Sequence, residues 1–260
     1  MSSKKKFSTT FSTLLNVSTL DEARTLPSMA LIAANVQQIS TAPYGTYPYG
    51  PTLDHSFVPG LPNELLLQRA CANDVKIMVG HNSDEGLYFV DPRITDDAGF
   101  RAYISGYFPS IKASVLNYIV KELYPPMYDG SQRYRTFLER VSLFASEALL
   151  TCNPNFIAHA YGNKTYNFRF SIPPAIHGED LAYTFYNGSS AEVSSLKIAE
   201  ALQSYIVSFA KTGRPSTSVP DFLLYGKEAT VLDLNVSAIS TMPDSTANAR
   251  CTWWQKSLYY

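Results

Sequence analysis

The 260 residues carry 21 basic against 22 acidic side chains, and 45% of them are hydrophobic against 17% charged. That is the composition of one globular domain with a sizeable core, and a net charge of −1 favours neither nucleic acid nor anionic membrane as a partner. The basic run Lys4-Lys5-Lys6 reads as a solvated tail. No stretch approaches the roughly 18 consecutive apolar residues of a membrane span. The opening MSSKKKFSTTFSTLLNV turns Ser/Thr-rich after its basic start, so it is not read as a signal peptide. Four Asn-x-Ser/Thr sequons, at Asn16, Asn163, Asn187 and Asn235, are candidate glycosylation sites and point to a secretory history. Sequons without a signal segment are a first hint of truncation. Cys71, Cys152 and Cys251 stand too far apart for a Cys-x-x-Cys metal or redox site, and their spacing alone selects no disulfide.

No internal repeat appears, and the chain reads as one domain over 1–260. Thr19 and Glu22 have capping-box spacing ahead of MALIAANVQQI, a predicted helix in which Pro27 marks a start. Eight turn-makers (Pro43, Gly45, Pro48, Gly50, Pro51, Pro59, Gly60, Pro62) make 41–62 a structured loop, followed by a short helix in NELLLQRACA. Val75–Val79 is a compact apolar run ending at Gly80, as expected of a strand buried on both faces. Apolar residues at 3–4 spacing predict helices over 96–122 (Phe100, Tyr103, Ile104, Tyr107) and 131–149 (Phe137, Val141, Phe144, Ala148). Thr165–Phe170 alternates like a strand, 193–211 is an amphipathic helix stopped by Gly213 and Pro215, and Val231–Leu234 is a last short strand. WWQKSLYY closes the chain on a predicted helix. Strands separated by helices define an α/β class, although three strands are few for this much helix.

Two loops carry chemistry. Gly80-His-Asn-Ser-Asp-Glu-Gly86 leaves the first strand at its C-terminal end, where α/β proteins place functional groups. Pro173-Pro-Ala-Ile-His-Gly-Glu-Asp180 follows the alternating strand and presents His177 in a Pro/Gly-framed loop. Taken singly, each is more often an ordinary turn than a site.

Together and in this order they resemble the type-B carboxylesterase/lipase family, the α/β-hydrolase branch of cholinesterases and fungal secreted lipases. Gly80, Asn82, Asp84, Glu85, Gly86 and Phe89 match its acid motif, and His177, Gly178, Glu179, Asp180, Leu181 and Phe185 match its histidine motif. Ala34-Asn35, Pro51–Asp54 with Phe57–Pro59, Phe209–Pro215 and Cys251–Trp254 add further matches in order. The resemblance spans roughly residues 13–257 and is strongest over 31–257. It implies an α/β-hydrolase fold, Glu85 as triad acid with Asp84 its rival, and His177 as general base, with no metal or cofactor. An imidazole takes a proton from a hydroxyl and returns it to a leaving group, and a carboxylate on its Nδ1–H fixes the tautomer. The resemblance also implies a Cys152–Cys251 disulfide with Cys71 free, and a secreted parent family. His55, His81 and His159 receive no catalytic role.

The nucleophile is the exception. The family places a Gly-x-Ser-x-Gly elbow before the acid, yet no serine here has glycine at both i−2 and i+2, and 84 residues precede Glu85. The expectation is the C-terminal part of a serine carboxylesterase or lipase for small-molecule or lipid esters, with an incomplete central sheet. Such a chain is inactive by itself for want of the serine and the N-terminal half. The alternative is a non-catalytic binding or adhesion-type member of the same fold, or a truncated gene product. An open apolar edge is expected at Val75–Val79 or its neighbours, and with it poor expression or aggregation of the isolated chain.

Overall fold

The computed structural model describes residues 3–46, 49–216 and 220–260; Pro48 and the side chains of Lys4, Lys5 and Lys6 lie outside the described residues. Its centre is a four-stranded sheet: β1 (Met78–Asn82), β2 (Tyr166–Phe170), β3 (Thr230–Leu234) and β4 (Ile239–Pro243), in that spatial order. β1 and β2 pair in parallel with Asn82 beside Phe170, β2 and β3 are also parallel, and β4 returns antiparallel to β3. Parallel strands need helical crossovers, which the long segments between them supply.

The inner strands alternate between two apolar faces. Phe170, Leu232 and Leu234 pack on α9 (Asp180–Thr184) and α10 (Leu196–Thr212) with Tyr183, Ala199, Leu202 and Tyr205. Val231 faces the other way, onto Ala158 of α8 (Cys152–Ala160). A larger core lies on that side among α5 (Asp97–Tyr107), α6 (Ala113–Tyr118), α7 (Phe137–Ala145), α8 and α11 (Ala249–Gln255), where Phe100, Phe144, Tyr124 and Trp254 are fully buried. The N-terminal arm is α1 (Ser3–Leu14), α2 (Leu20–Thr25) and α3 (Ser28–Ser40), and α4 (Pro62–Leu67) follows the loop.

Several boundaries differ from expectation, each for a local reason. The first strand begins at Met78 rather than Val75, because pairing with β2 starts there and Val75 is exposed. Gly80 sits inside the strand: a Cβ on it would lie 2.4 Å from Cζ of Phe168, so the glycine lets an aromatic ring lie on the sheet. Nor is β1 buried on both faces; three of its five residues are half-buried, and among the described residues it has a strand partner on one side only.

The helix expected over 96–122 is broken after Tyr107 near Pro109, and its second piece ends in a π-helical turn at Ile119–Leu123. The helix expected over 131–149 starts later, capped by Thr136, and runs on through a π-helical turn at Ser146–Thr151 into α8. That wider turn comes just before Pro154, which has no N–H to give. Thr19 Oγ1 does accept from Glu22 N, while Glu22 Oε2 accepts from Ser18 N, one residue before the cap; the pair caps α2 and not α3. At the C-terminus the helix holds both tryptophans and ends at Gln255, short of Lys256–Tyr260. β4 was not expected; it is an edge strand whose last residue is Pro243 and whose burial is confined mainly to Ile239.

Two buried charges organise the helical core. Arg140 is fully buried, donating to Asp97 Oδ1 (2.6 Å) and to the carbonyls of Tyr124 and Val120, with its guanidinium 5.0 Å from the centre of Phe100. Glu147 accepts from Arg250 at 2.6 and 2.9 Å, from Tyr124 Oη at 2.8 Å and from Asn248 Nδ2 at 3.1 Å. Buried ions persist only when every polar atom finds such partners.

Cys152 and Cys251 form a disulfide joining α8 to α11, both sulfurs buried, and Cys71 is free. The bridge closes a loop with a sequence separation of 99 residues. Removing it by Cys152→Ala is expected to lower stability by on the order of 4 kcal/mol in the chain-entropy account. Urea denaturation checks this, and a loss below about 1 kcal/mol contradicts it.

Candidate active site

The two loops that hold Glu85 and His177 leave the same edge of the sheet because β1 and β2 run parallel and end in register. After β1 the chain enters a 3-10 turn, Glu85–Phe89, held against α7. Gly86 N donates to Ser146 Oγ at 2.8 Å, and a Cβ on Gly86 would sit 2.2 Å from the carbonyl oxygen of Ser142. Only glycine allows this approach, and it fixes Glu85 with its carboxylate turned toward the second loop. That loop leaves β2 through the cis peptide Pro173–Pro174 and through Ala175 and Gly178, both at positive φ (50° and 89°) on either side of His177. A positive φ at alanine is locally unfavourable by roughly 1 kcal/mol. Hydrogen bonds between the loops hold it in place: Asp84 N donates to Ala175 O (3.0 Å), and Ser83 N donates to Phe170 O (2.9 Å).

The two loops bring Glu85 and His177 into contact. His177 Nδ1 lies 2.6 Å from Glu85 Oε2; a carboxylate oxygen accepts, so Nδ1 carries the proton and Nε2 is left as the basic edge. Glu85 Oε1 accepts from the backbone N–H of Asn82 at 2.7 Å. The glutamate side chain is 9% exposed and the imidazole 46%, an acid held from below with a base that solvent reaches. Phe89 supports the imidazole, ring centre to ring centre 5.1 Å. Asp84, the neighbouring carboxylate, does not reach His177; burial pushes its carboxyl above the usual range, opposed by the charge of Arg133.

Of the remaining candidates, His81 is buried in β1, with its Nδ1–H donating to Asn82 O at 2.9 Å and its Nε2 buried without a partner. His55 lies at positive φ in the 41–62 loop, and His159 is exposed on α8. The sequon residues Asn16 and Asn187 are exposed. Asn163 is at positive φ with its Oδ1 buried and unpartnered, and Asn235 Oδ1 accepts from Ser237. In the sequence Asn82, Phe89 and Asp180 stand only as motif matches without an assigned contact, and Ser146 does not stand out. The available signal was Ser142 and Ser146, four residues apart within an otherwise apolar stripe.

A mixed sheet flanked by helices, with an acid loop and a histidine loop at the C-terminal ends of adjacent parallel strands, defines an α/β-hydrolase architecture. The carboxylesterase family model matches residues 3–254, and the chain belongs to that family. It is 39% identical over 248 residues to carboxylesterase patB of Penicillium expansum, covering 95% of this chain and 44% of that protein. With a secreted lipase of Arthroderma benhamiae it shares 27% over 195 residues, 72% of this chain and 36% of the other. Among solved structures, Aspergillus niger EstA superposes with a TM-score of 0.73 at 22% identity, covering 96% of this chain and 54% of that one. A thermophilic PNB esterase gives 0.68 at 20%, with 94% and 52% covered. These two likenesses show the fold. The chain spans about half the length, or less, of the relatives it matches.

Burial holds the His81 imidazole below its ordinary value of 6.5; Asn82 O and the charges of Asp244 and Glu85 oppose this, while Arg169 adds to it. The unfolded chain therefore binds a proton on His81 below that value before the folded chain does, so stability falls as pH drops from 6.5. The limiting slope is about 1.4 kcal/mol per pH unit. His81→Gln should flatten this acid limb. Chemical denaturation of both chains between neutral and mildly acidic pH checks it, and parallel limbs contradict it.

Proposed function

We propose that this chain supplies the acid, Glu85, and the general base, His177, of a serine carboxylic-ester hydrolase acting on small-molecule or lipid esters. The nucleophilic serine and the oxyanion donors belong to polypeptide outside these 260 residues. The observation that carries the reading is the 2.6 Å contact between His177 Nδ1 and Glu85 Oε2 at the ends of parallel strands. The lack of any serine between glycines at i−2 and i+2 supports a nucleophile supplied from outside these residues. Among the described residues β1 has a strand partner on one side only, and a further parallel strand on the other side would continue the sheet.

In the assembled site the chemistry follows from the pair. His177 Nε2 takes the serine hydroxyl proton as the oxygen attacks the ester carbonyl, and Glu85 stabilises the imidazolium formed. Collapse of the tetrahedral intermediate expels the alcohol, which receives that proton from His177. Water, deprotonated by the same nitrogen, then attacks the acyl-serine; the carboxylic acid leaves as the C–O bond to serine breaks, and His177 returns the proton to the serine oxygen.

A fluorophosphonate probe, which labels activated serines, tests this on two samples: the 260-residue chain and the native protein from its source. The expected outcome is no labelling of the chain, and labelling of a native polypeptide that contains this sequence and is about twice its 28.8 kDa. In that enzyme His177→Ala is expected to lower kcat by on the order of 10⁴-fold or more. Labelling of a 28.8 kDa polypeptide would overturn the placement of the serine. An unlabelled native protein of any size would favour the non-catalytic reading, which the missing serine motif keeps in view.

A further inference from the structure

We infer that Asn82 is a positioning residue that orients both members of the Glu85–His177 pair from one point. The inference rests on the reading of those two residues as acid and base. Asn82 is the last residue of β1 and is buried, 2% exposed. Its backbone N–H donates to Glu85 Oε1 at 2.7 Å, which leaves Oε2 for the imidazole. Its side-chain amide donates twice across the gap between the loops, to Ile176 O at 2.7 Å and to Asp180 Oδ1 at 3.1 Å. Ile176 directly precedes His177, and Asp180 opens α9 just after it. Both flanks of the histidine are thus fastened to the residue that also holds the carboxylate.

The chemistry explains why an amide stands here. An amide NH₂ has two hydrogens to give, and the two acceptors, a carbonyl and a carboxylate, can only receive. Aspartate at this position would set a carboxylate against both acceptors in a buried site, and alanine would leave the Ile176 carbonyl and the Asp180 carboxylate without this donor. Phe89 constrains the imidazole by ring contact, and Ser146 constrains the acid turn through Gly86. Neither spans the two loops by a side-chain hydrogen bond as Asn82 does.

The experiment is NMR of the full chain carrying ¹⁵N-histidine, following the Nδ1–H of His177, assigned by its loss in His177→Gln. The expected result is that Asn82→Ala still unfolds cooperatively while exchange of this proton with water speeds up about tenfold, the factor of one net hydrogen bond. Asn82→Asp alone should also lose protection. The swap Asn82→Asp with Asp180→Asn restores a donor–acceptor pair with its roles exchanged and should recover much of it. Unchanged exchange in Asn82→Ala overturns the inference, and so does a swap no better than Asn82→Asp alone, which would mark Asn82 as a general folding residue. If Asn82→Ala does not fold, Asp180→Ala decides: it removes one acceptor and leaves β1 intact, so faster exchange supports the inference and unchanged exchange overturns it. Glu85→Gln separates the two levels. If it leaves the His177 signal unaltered, the acid–base reading itself has failed; if it alters the signal while Asn82→Ala does not, only the positioning role has failed.

Discussion

The parallel pairing of β1 with β2 is the constraint on which the site depends. Because the strands point the same way and Asn82 lies beside Phe170, the chain leaves both at one edge, and residues 92 positions apart meet there. An antiparallel partner would have sent the second loop to the far end of the sheet. The pairing in turn depends on small local facts. Gly80 must lack a Cβ for the Phe168 ring to lie over β1, and Gly86 must lack one for the acid turn to settle onto α7. Ring contacts, glycine approaches and loop-to-loop hydrogen bonds are therefore parts of one arrangement that ends in the carboxylate–imidazole contact.

The helical side contributes rigidity of another kind. The acid turn rests on Ser142 and Ser146, at the junction of α7 with its π-helical turn, and Glu147 adjoins that junction. Glu147 gathers Arg250, Asn248 and Tyr124, and Trp254 Nε1 donates to the same tyrosine oxygen at 2.9 Å. Removing a single partner would strand a buried charge, a costlier change than loss of the contact itself. The support beneath Glu85 is thereby linked to the C-terminal helix, which the Cys152–Cys251 bridge also holds.

Much of this was legible in the sequence where a residue type has one physical use. The apolar stripe of α10 with Gly213 behind it marked a helix and its end, and the alternation of Thr165–Phe170 marked a strand. Glu85 and His177 were legible as a pair only through their shared motif order, since an acidic residue between glycines and a loop histidine are each unremarkable alone. What escaped were features set by distant neighbours. The start of β1 depends on where β2 pairs, the π-helical turn before Pro154 on the core it crosses, and β4 on a strand already in place beside it. Asn82 was visible as a motif letter, but its two acceptors lie 94 and 98 residues away and no local pattern names them.

The disulfide also bears on how the molecule responds to a cut chain. Cys152 precedes the histidine loop and Cys251 follows it, so His177 lies within the covalent loop they close. The turn at 187–192 is exposed and falls inside the same loop, the sort of place proteases find first. A single nick there leaves two pieces still joined by sulfur, with Glu85 and His177 together on the larger one. Migration of such a molecule would change on a denaturing gel only after reduction, and the pair could outlast a break in the backbone that carries it.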